Sequence, residues 1–211
     1  MLHQRLLLLL IPAVALAGCG LEDDGPPTSQ TREVAPFTRI DNPSSVDVVL
    51  TVGEPQQLRV RAGKKVISDV HTDVRDGTLH VDFDHHGWGG DDVVVEASIE
   101  RLDGVIADGS GDIEVTGIDS GKFELRSSGS SDVALTGRAG QLTVDLEGSG
   151  DADASGLRAG DARVTAEGSG DVDVRADRLD VRLDGSGDVH YHGNPVLSQS
   201  VDGSGDLTRA D

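Results

Sequence analysis

The residues best suited to chemistry in this chain are carboxylates that return at nearly fixed spacing. The tetrapeptide Gly-Ser-Gly-Asp stands at 109–112, 148–151, 168–171, 185–188 and 203–206, with Gly-Ser-Ser-Asp at 129–132. It delivers Asp112, Asp132, Asp151, Asp171, Asp188 and Asp206, and a second acidic set, Glu147, Glu167, Asp184 and Asp202, stands just ahead of the motif. Stacked in columns, these oxygens would suit a hard divalent cation such as calcium. The competing expectation is that each aspartate accepts backbone hydrogen bonds at its own turn, while water and salt screen the remaining charge. Calcium-binding β-rolls carry an acidic turn at both ends of each coil. Here the intervening turns read Gly-Arg-Ala-Gly (137–140) and Gly-Leu-Arg-Ala-Gly (156–160), with no carboxylate.

Two smaller clusters raise the same question. The stretch "DFDHHGWGGDD" (82–92) gathers Asp82, Asp84, His85, His86, Asp91 and Asp92 around Trp88, the single tryptophan. Imidazole and carboxylate together suit zinc or another transition metal, but adjacent histidines on a strand point to opposite faces. A glycine-rich, polar hairpin tip is the simpler account of the composition, and an exposed Trp88 would suit a partner contact. "HYH" (190–192) puts His190 and His192 on one face of a strand and Tyr191 on the other. For covalent or acid–base catalysis there is no nucleophile elbow. The serine of the motif recurs six times, whereas an active site is normally written once. These patterns assign no catalytic, cofactor-binding or metal-ligating residue.

One residue does carry a specific chemistry. Residues 1–18 hold one basic residue, Arg5, and an apolar run from Leu6 to Leu16 that is too short to span a bilayer as a helix. They suit a secretory signal peptide. The ending Leu16-Ala17-Gly18-Cys19 resembles the lipobox of bacterial lipoproteins, whose cysteine is acylated and becomes the mature N-terminus. Cys19 is the only cysteine, so it has no disulfide partner within the chain. An ordinary signal peptide ending in cysteine is the alternative. Acylation at Cys19 would anchor the exported protein to the cell membrane or outer membrane without crossing it.

The elements that must position these groups are strands. Residues 19–36 are polar, acidic and proline-bearing and are expected to form a disordered tether. From 37 to 100, segments such as "SVDVVLTVG" (45–53) and "QLRVRAG" (57–63) alternate apolar and polar residues, the mark of a β-rich N-terminal part. Over 101–211 the motif glycines are separated by 20, 19, 20, 17 and 18 residues, a period that announces a stacked array. Apolar residues precede the first glycine by six, four and two places, as in Leu142, Val144 and Leu146, and alternation resumes after it, as in Val133 and Leu135. Each repeat therefore reads strand, turn, strand, turn. A single-layer meander would leave its apolar face wet, and aromatics are only 2% of the chain, too few to fill a wide barrel. The expected fold is all-β: a flattened two-sheet parallel β-helix with coils of about 17–20 residues and an N-terminal β-rich cap. The coil of Ala152, Ala154, Ala162 and Ala166 is expected to be its thinnest.

"FTRIDNPSSVDVVLTVGEPQQLRVRA", then "VRDGTLHVDFD", then "VEASIERLDGVIADGSGDIEVTG" and the repeated units resemble the bacterial head GIN domain family, described as a putative auto-transporter adhesin head domain, over roughly 35–210. The resemblance implies a right-handed parallel β-helix of pectin-lyase-like shape without the lyase's catalytic residues, and a role in adhesion. A formal net charge of −20 disfavours nucleic acid as a partner. The functional expectation is a non-enzymatic, lipid-anchored envelope protein whose polar β-helix surface binds an envelope glycan, another protein or its own kind. Divalent-cation binding by the acidic turns and a polysaccharide-active enzyme are the alternatives.

Overall fold

The computed structural model describes residues 24–84 and 92–210. Among them there is no helix, and fifteen strands follow one another along the chain. The N-terminal part contributes β1 (Pro27–Thr31), β2 (Arg39–Asn42), β3 (Asp47–Val52), β4 (Gln57–Gly63), β5 (Val70–Arg75), β6 (Thr78–Phe83), β7 (Val94–Ile99) and β8 (Gly104–Ala107). The repeats contribute β9 (Ile113–Ser127), β10 (Val133–Leu146), β11 (Ala152–Ala166), β12 (Val172–Leu183), β13 (Val189–His192), β14 (Val196–Val201) and β15 (Leu207–Ala210).

The repeats wind as a parallel β-solenoid. Val133 pairs with Ile113 below and Ala152 above, and Val144 with Leu125 and Val164. One face runs β1-β4-β7-β3 and then through the first halves of β9 to β12 to β13 and β15. The other face runs β5-β6-β2-β8, then through the second halves of β9 to β12, and ends on β14. Ten strands at about 4.8 Å give a stack roughly 45 Å long. The stack is closed at its N-terminal end by antiparallel pairs, β1 on β4 and β5 on β6.

β1 lies inside the segment whose composition suggested a disordered tether. All five of its residues pair with β4, Pro27 with Gly63 through Thr31 with Arg59. A strand of proline, serine, glutamine and threonine has no apolar stripe to announce it. It forms because β4 offers a free edge.

The core is a column of aliphatic side chains between the two faces. The residues expected from the alternation are buried: Leu142, Val144 and Leu146, Leu179, Val181 and Leu183, and Val133, Leu135, Val172 and Val174. The intervening turns differ from the expectation. β9, β10 and β11 run unbroken through them, and parallel pairing continues across, as in Arg138 with Asp119 and Ala139 with Ser120. The bend is absorbed by register shifts, and three residues of β11 (Ser155, Gly156 and Leu157) have no counterpart in β12, which is how a 17-residue repeat stacks on a 20-residue one. Those bends point Ile118, Leu157 and Ala159 inward. Leu157 is fully enclosed, so it fills the coil otherwise lined by Ala152, Ala154, Ala162 and Ala166.

Candidate functional site: the aspartate corner

The recurring motif forms the sharp corner between the two faces, and the reason for its glycines is contact. A Cβ on Gly148 would collide with the carbonyl oxygen of Gly129, one on Gly168 with that of Gly148, and one on Gly185 with that of Gly168. The third residue behaves likewise: a Cβ on Gly170 would strike the carbonyl of Gly150. None of these glycines has a positive φ, so backbone freedom is not what selects them here. Positive φ is used at the opposite bends instead, at Gly117 and Gly137.

Close approach lets each corner bond to the one beneath it. The serine contributes its backbone N–H: Ser149 donates to the Gly129 carbonyl and Ser169 to that of Gly148, both at 2.9 Å. The aspartate contributes twice. Its Oδ1 accepts the backbone N–H of the aspartate in the next coil, giving an unbroken series: Asp132 N–H to Asp112 at 3.1 Å, Asp151 to Asp132 at 2.9 Å, Asp171 to Asp151 at 2.8 Å, Asp188 to Asp171 at 2.7 Å and Asp206 to Asp188 at 2.8 Å. Its carbonyl accepts the N–H that follows the neighbouring aspartate, as Asp171 does from Ala152 at 2.9 Å. The carboxylates therefore bond between coils, not within their own turn.

The ladder begins one rung before the motif does. The Asp112 N–H donates to Asp47 Oδ1 at 2.9 Å. Ser44-Ser45-Val46-Asp47 occupies the place of Gly-Ser-Gly-Asp: Gly109 sits over Ser44 and Gly111 over Val46. At this corner Asn42 is wholly buried; its amide donates to the Val46 carbonyl at 2.7 Å and its Oδ1 accepts from Ser44 Oγ at 2.7 Å. The signal was present as an aspartate followed by Val48 and Leu50, but of the motif only the serine and the aspartate survive there, both glycines being replaced.

The edge carrying this ladder is almost wholly acidic. A shallow groove of about 480 Å³ beside it has a floor of aliphatic residues, such as Val49 and Ala134, and charged groups that are all acidic, among them Asp112, Glu114, Asp132 and Asp153. The opposite bends and the β14 face alternate in sign. Arg138 donates to both oxygens of Asp119, at 2.8 and 2.7 Å, and Arg178 pairs with Asp161. Those arginines hold the Asp119 and Asp161 carboxyls below the ordinary value of 3.8, chiefly by hydrogen bonding. Arg39 with Glu124 and Arg163 with Asp180, each at 3.0 Å, extend the mosaic.

The other sequence clusters do not converge on a site. His190 Nδ1 meets Thr208 Oγ1 at 2.7 Å, while His192 Nε2 meets Asp173 Oδ1 at 3.2 Å. Tyr191 between them packs against the core. His85, His86, Trp88 and Asp91 lie outside the described residues, as does Cys19. Of the same cluster, Asp82 lies on β6, Asp84 just after it and Asp92 shortly before β7. Among the described residues no group of three His, Cys, Asp or Glu side chains is placed to hold a metal ion, and no helix is long and apolar enough to cross a membrane.

The family model described as "Putative auto-transporter adhesin, head GIN domain" matches residues 36–195. The chain belongs to the head GIN domain family. Its fold agrees with solved structures. A putative adhesin from Bacteroides fragilis shares 21% identity at a TM-score of 0.70, covering 88% of this head GIN chain and 97% of its own. A putative adhesin from Parabacteroides distasonis shares 17% at 0.64, over 89% and 98%. A structure from the same species called a putative lipid binding protein shares 20% at 0.58, also over 89% and 98%. No curated protein matches the chain.

Proposed function

We propose that this head GIN domain is a non-enzymatic, lipid-anchored adhesin of the cell envelope, held to a membrane through Cys19 and presenting the solenoid surface to a glycan or protein partner. Membership of an adhesin family supports the coarse role. The observation that carries the finer reading is the position of the lipobox relative to the fold. Cys19 stands eight residues before Pro27, the first residue of β1, and β1 is the outermost strand at the N-terminal end. Eight residues reach at most about 29 Å when fully extended. The antiparallel end is then held near the membrane and the Gly-Ser-Gly-Asp coils project from it. The carboxylates of the corner favour a structural role over a catalytic one, because the Oδ1 of every ladder aspartate from Asp47 to Asp188 is engaged by the next coil.

Mass spectrometry of the exported protein tests the anchor: the N-terminal peptide is expected to begin at Cys19 and to carry acyl chains. Cys19→Ser is expected to release the protein from the membrane fraction. An unmodified Cys19, or membrane retention of the Ser variant, would sink the reading.

A further inference from the structure

The two ends of the solenoid are built differently. The N-terminal end finishes in antiparallel strands, and β5 there carries His71, Asp73 and Arg75. The C-terminal end of the described residues finishes in two parallel strands, β14 on one face and β15 on the other, whose outer edges have no partner among those residues. Every residue of β14 is exposed. Val196, Leu197 and Val201 are three of the four large exposed hydrophobics among the described residues. Proteins usually protect such an edge with charge, proline or a bulge. β14 reads Val-Leu-Ser-Gln-Ser-Val and has none of these, whereas its neighbour β12 carries Arg178, Asp180 and Arg182 on the same face.

We propose that this end docks on the same end of a second copy, joining two solenoids tip to tip about a two-fold axis. The evidence for a second copy is self-complementarity. By register Val201 stands over Leu183, Leu207 over Val189 and Arg209 over Tyr191, so Leu197, Gln199, Val201, Leu207 and Arg209 occupy core-side positions of the last coil. A two-fold that laid each strand on its own copy would bring Arg209 against Arg209. The two-fold that lays β14 on the partner's β15 avoids this. Val201 and Leu207 stand three residues either side of Ser204 at the corner, and Gln199 and Arg209 stand five. That arrangement therefore sets Val201 against Leu207 and Gln199 against Arg209, twice, in antiparallel pairing. The aliphatic core continues through the joint and each guanidinium faces an amide oxygen.

The joint is one coil in cross-section, roughly 350 Å² on each side against about 800 Å² in a standard stable interface. Association is therefore weak in free solution and gains strength when many copies are tethered. The two-fold also sends the N-termini to opposite ends of a particle about 90 Å long. On the anchor reading above, such a pair bridges two membranes, which makes the adhesion homophilic; the dimer itself does not depend on acylation.

Small-angle scattering and sedimentation of the mature chain from residue 19, carrying Cys19→Ser, test the joint over a rising concentration series. The expected particle nearly doubles in length with its cross-section unchanged. Gln199→Lys, which faces Lys with Arg209, is expected to abolish it, and the pair Gln199→Lys with Arg209→Glu to restore it. Leu197→Lys with Val201→Lys removes the apolar contact and is a second disrupting variant, its folding checked by the melting curve. A monomer at every concentration, a particle that widens, or a dimer indifferent to Gln199→Lys would each overturn the proposal. Mass spectrometry of Cys19 reports on the anchor separately: an unacylated protein that still dimerises would leave the joint standing and remove the membrane bridge.

Discussion

Replacing Asp171 by alanine and by asparagine separates the two things its carboxylate does. Its Oδ1 accepts the Asp188 N–H at 2.7 Å, and its own N–H is satisfied by Asp151 at 2.8 Å. Alanine removes the acceptor. A hydrogen bond to a charged group contributes about 1.5–3 kcal/mol, and this half-buried one belongs toward the lower end because water can reach the freed amide. Both replacements also remove repulsion from the aspartates one coil above and below. At a coil spacing of about 4.8 Å each such pair costs about 0.9 kcal/mol in water. Physiological salt reduces that by roughly half, leaving about 1 kcal/mol for the two neighbours together. Asparagine keeps an oxygen in place as a neutral acceptor, forfeiting about 1 kcal/mol of bond strength. The expected outcome is a protein near the parent in stability for Asp171→Asn and about 0.5–1.5 kcal/mol weaker for Asp171→Ala. Urea denaturation checks this, with the midpoint followed at low and high salt. At low salt the repulsion is larger, so Asp171→Asn is expected to rise above the parent. An asparagine variant as damaged as the alanine one, at every salt concentration, would refute the claim that the acceptor oxygen is what the ladder uses.

Three further outcomes follow from the same structure. Gly168→Ala places a methyl against the Gly148 carbonyl and is expected to cost about 3 kcal/mol and to open the stack locally. Gly121→Ala has open space and an ordinary φ and is expected to be neutral or slightly stabilising; thermal melts compare them. Leu157→Ala is expected to lose about 2–5 kcal/mol by the same assay, because the alanines around it cannot collapse into the cavity. The Arg138 pair holds Asp119 below 3.8, so its stabilisation is complete above that pH and is lost as acid carries the pH down through the lowered value. Carboxyl NMR is expected to show Asp119 titrating upward in Arg138→Met, and no movement would dissociate the shift from the ion pair.

The even return of Gly-Ser-Gly-Asp, and the aliphatic residues two, four and six places ahead of it, determined the parallel coils and most of the core. A solenoid is assembled from neighbours one period apart, so the period of the sequence is the period of the contacts. Three features were decided only by tertiary structure. The unbroken pairing through the opposite bends depends on register shifts that let coils of unequal length stack, and Leu157 became core only through them. The strand at Pro27–Thr31 carries no pattern of its own and exists because β4 presents an edge. The aspartate ladder could be placed in a column from sequence, yet the partner of each Oδ1 could not, because an aspartate at a turn has amides of its own turn and of the next coil within reach. The glycines settle that choice: with no Cβ in the way, successive corners approach until the next coil's amide is the one at bonding distance.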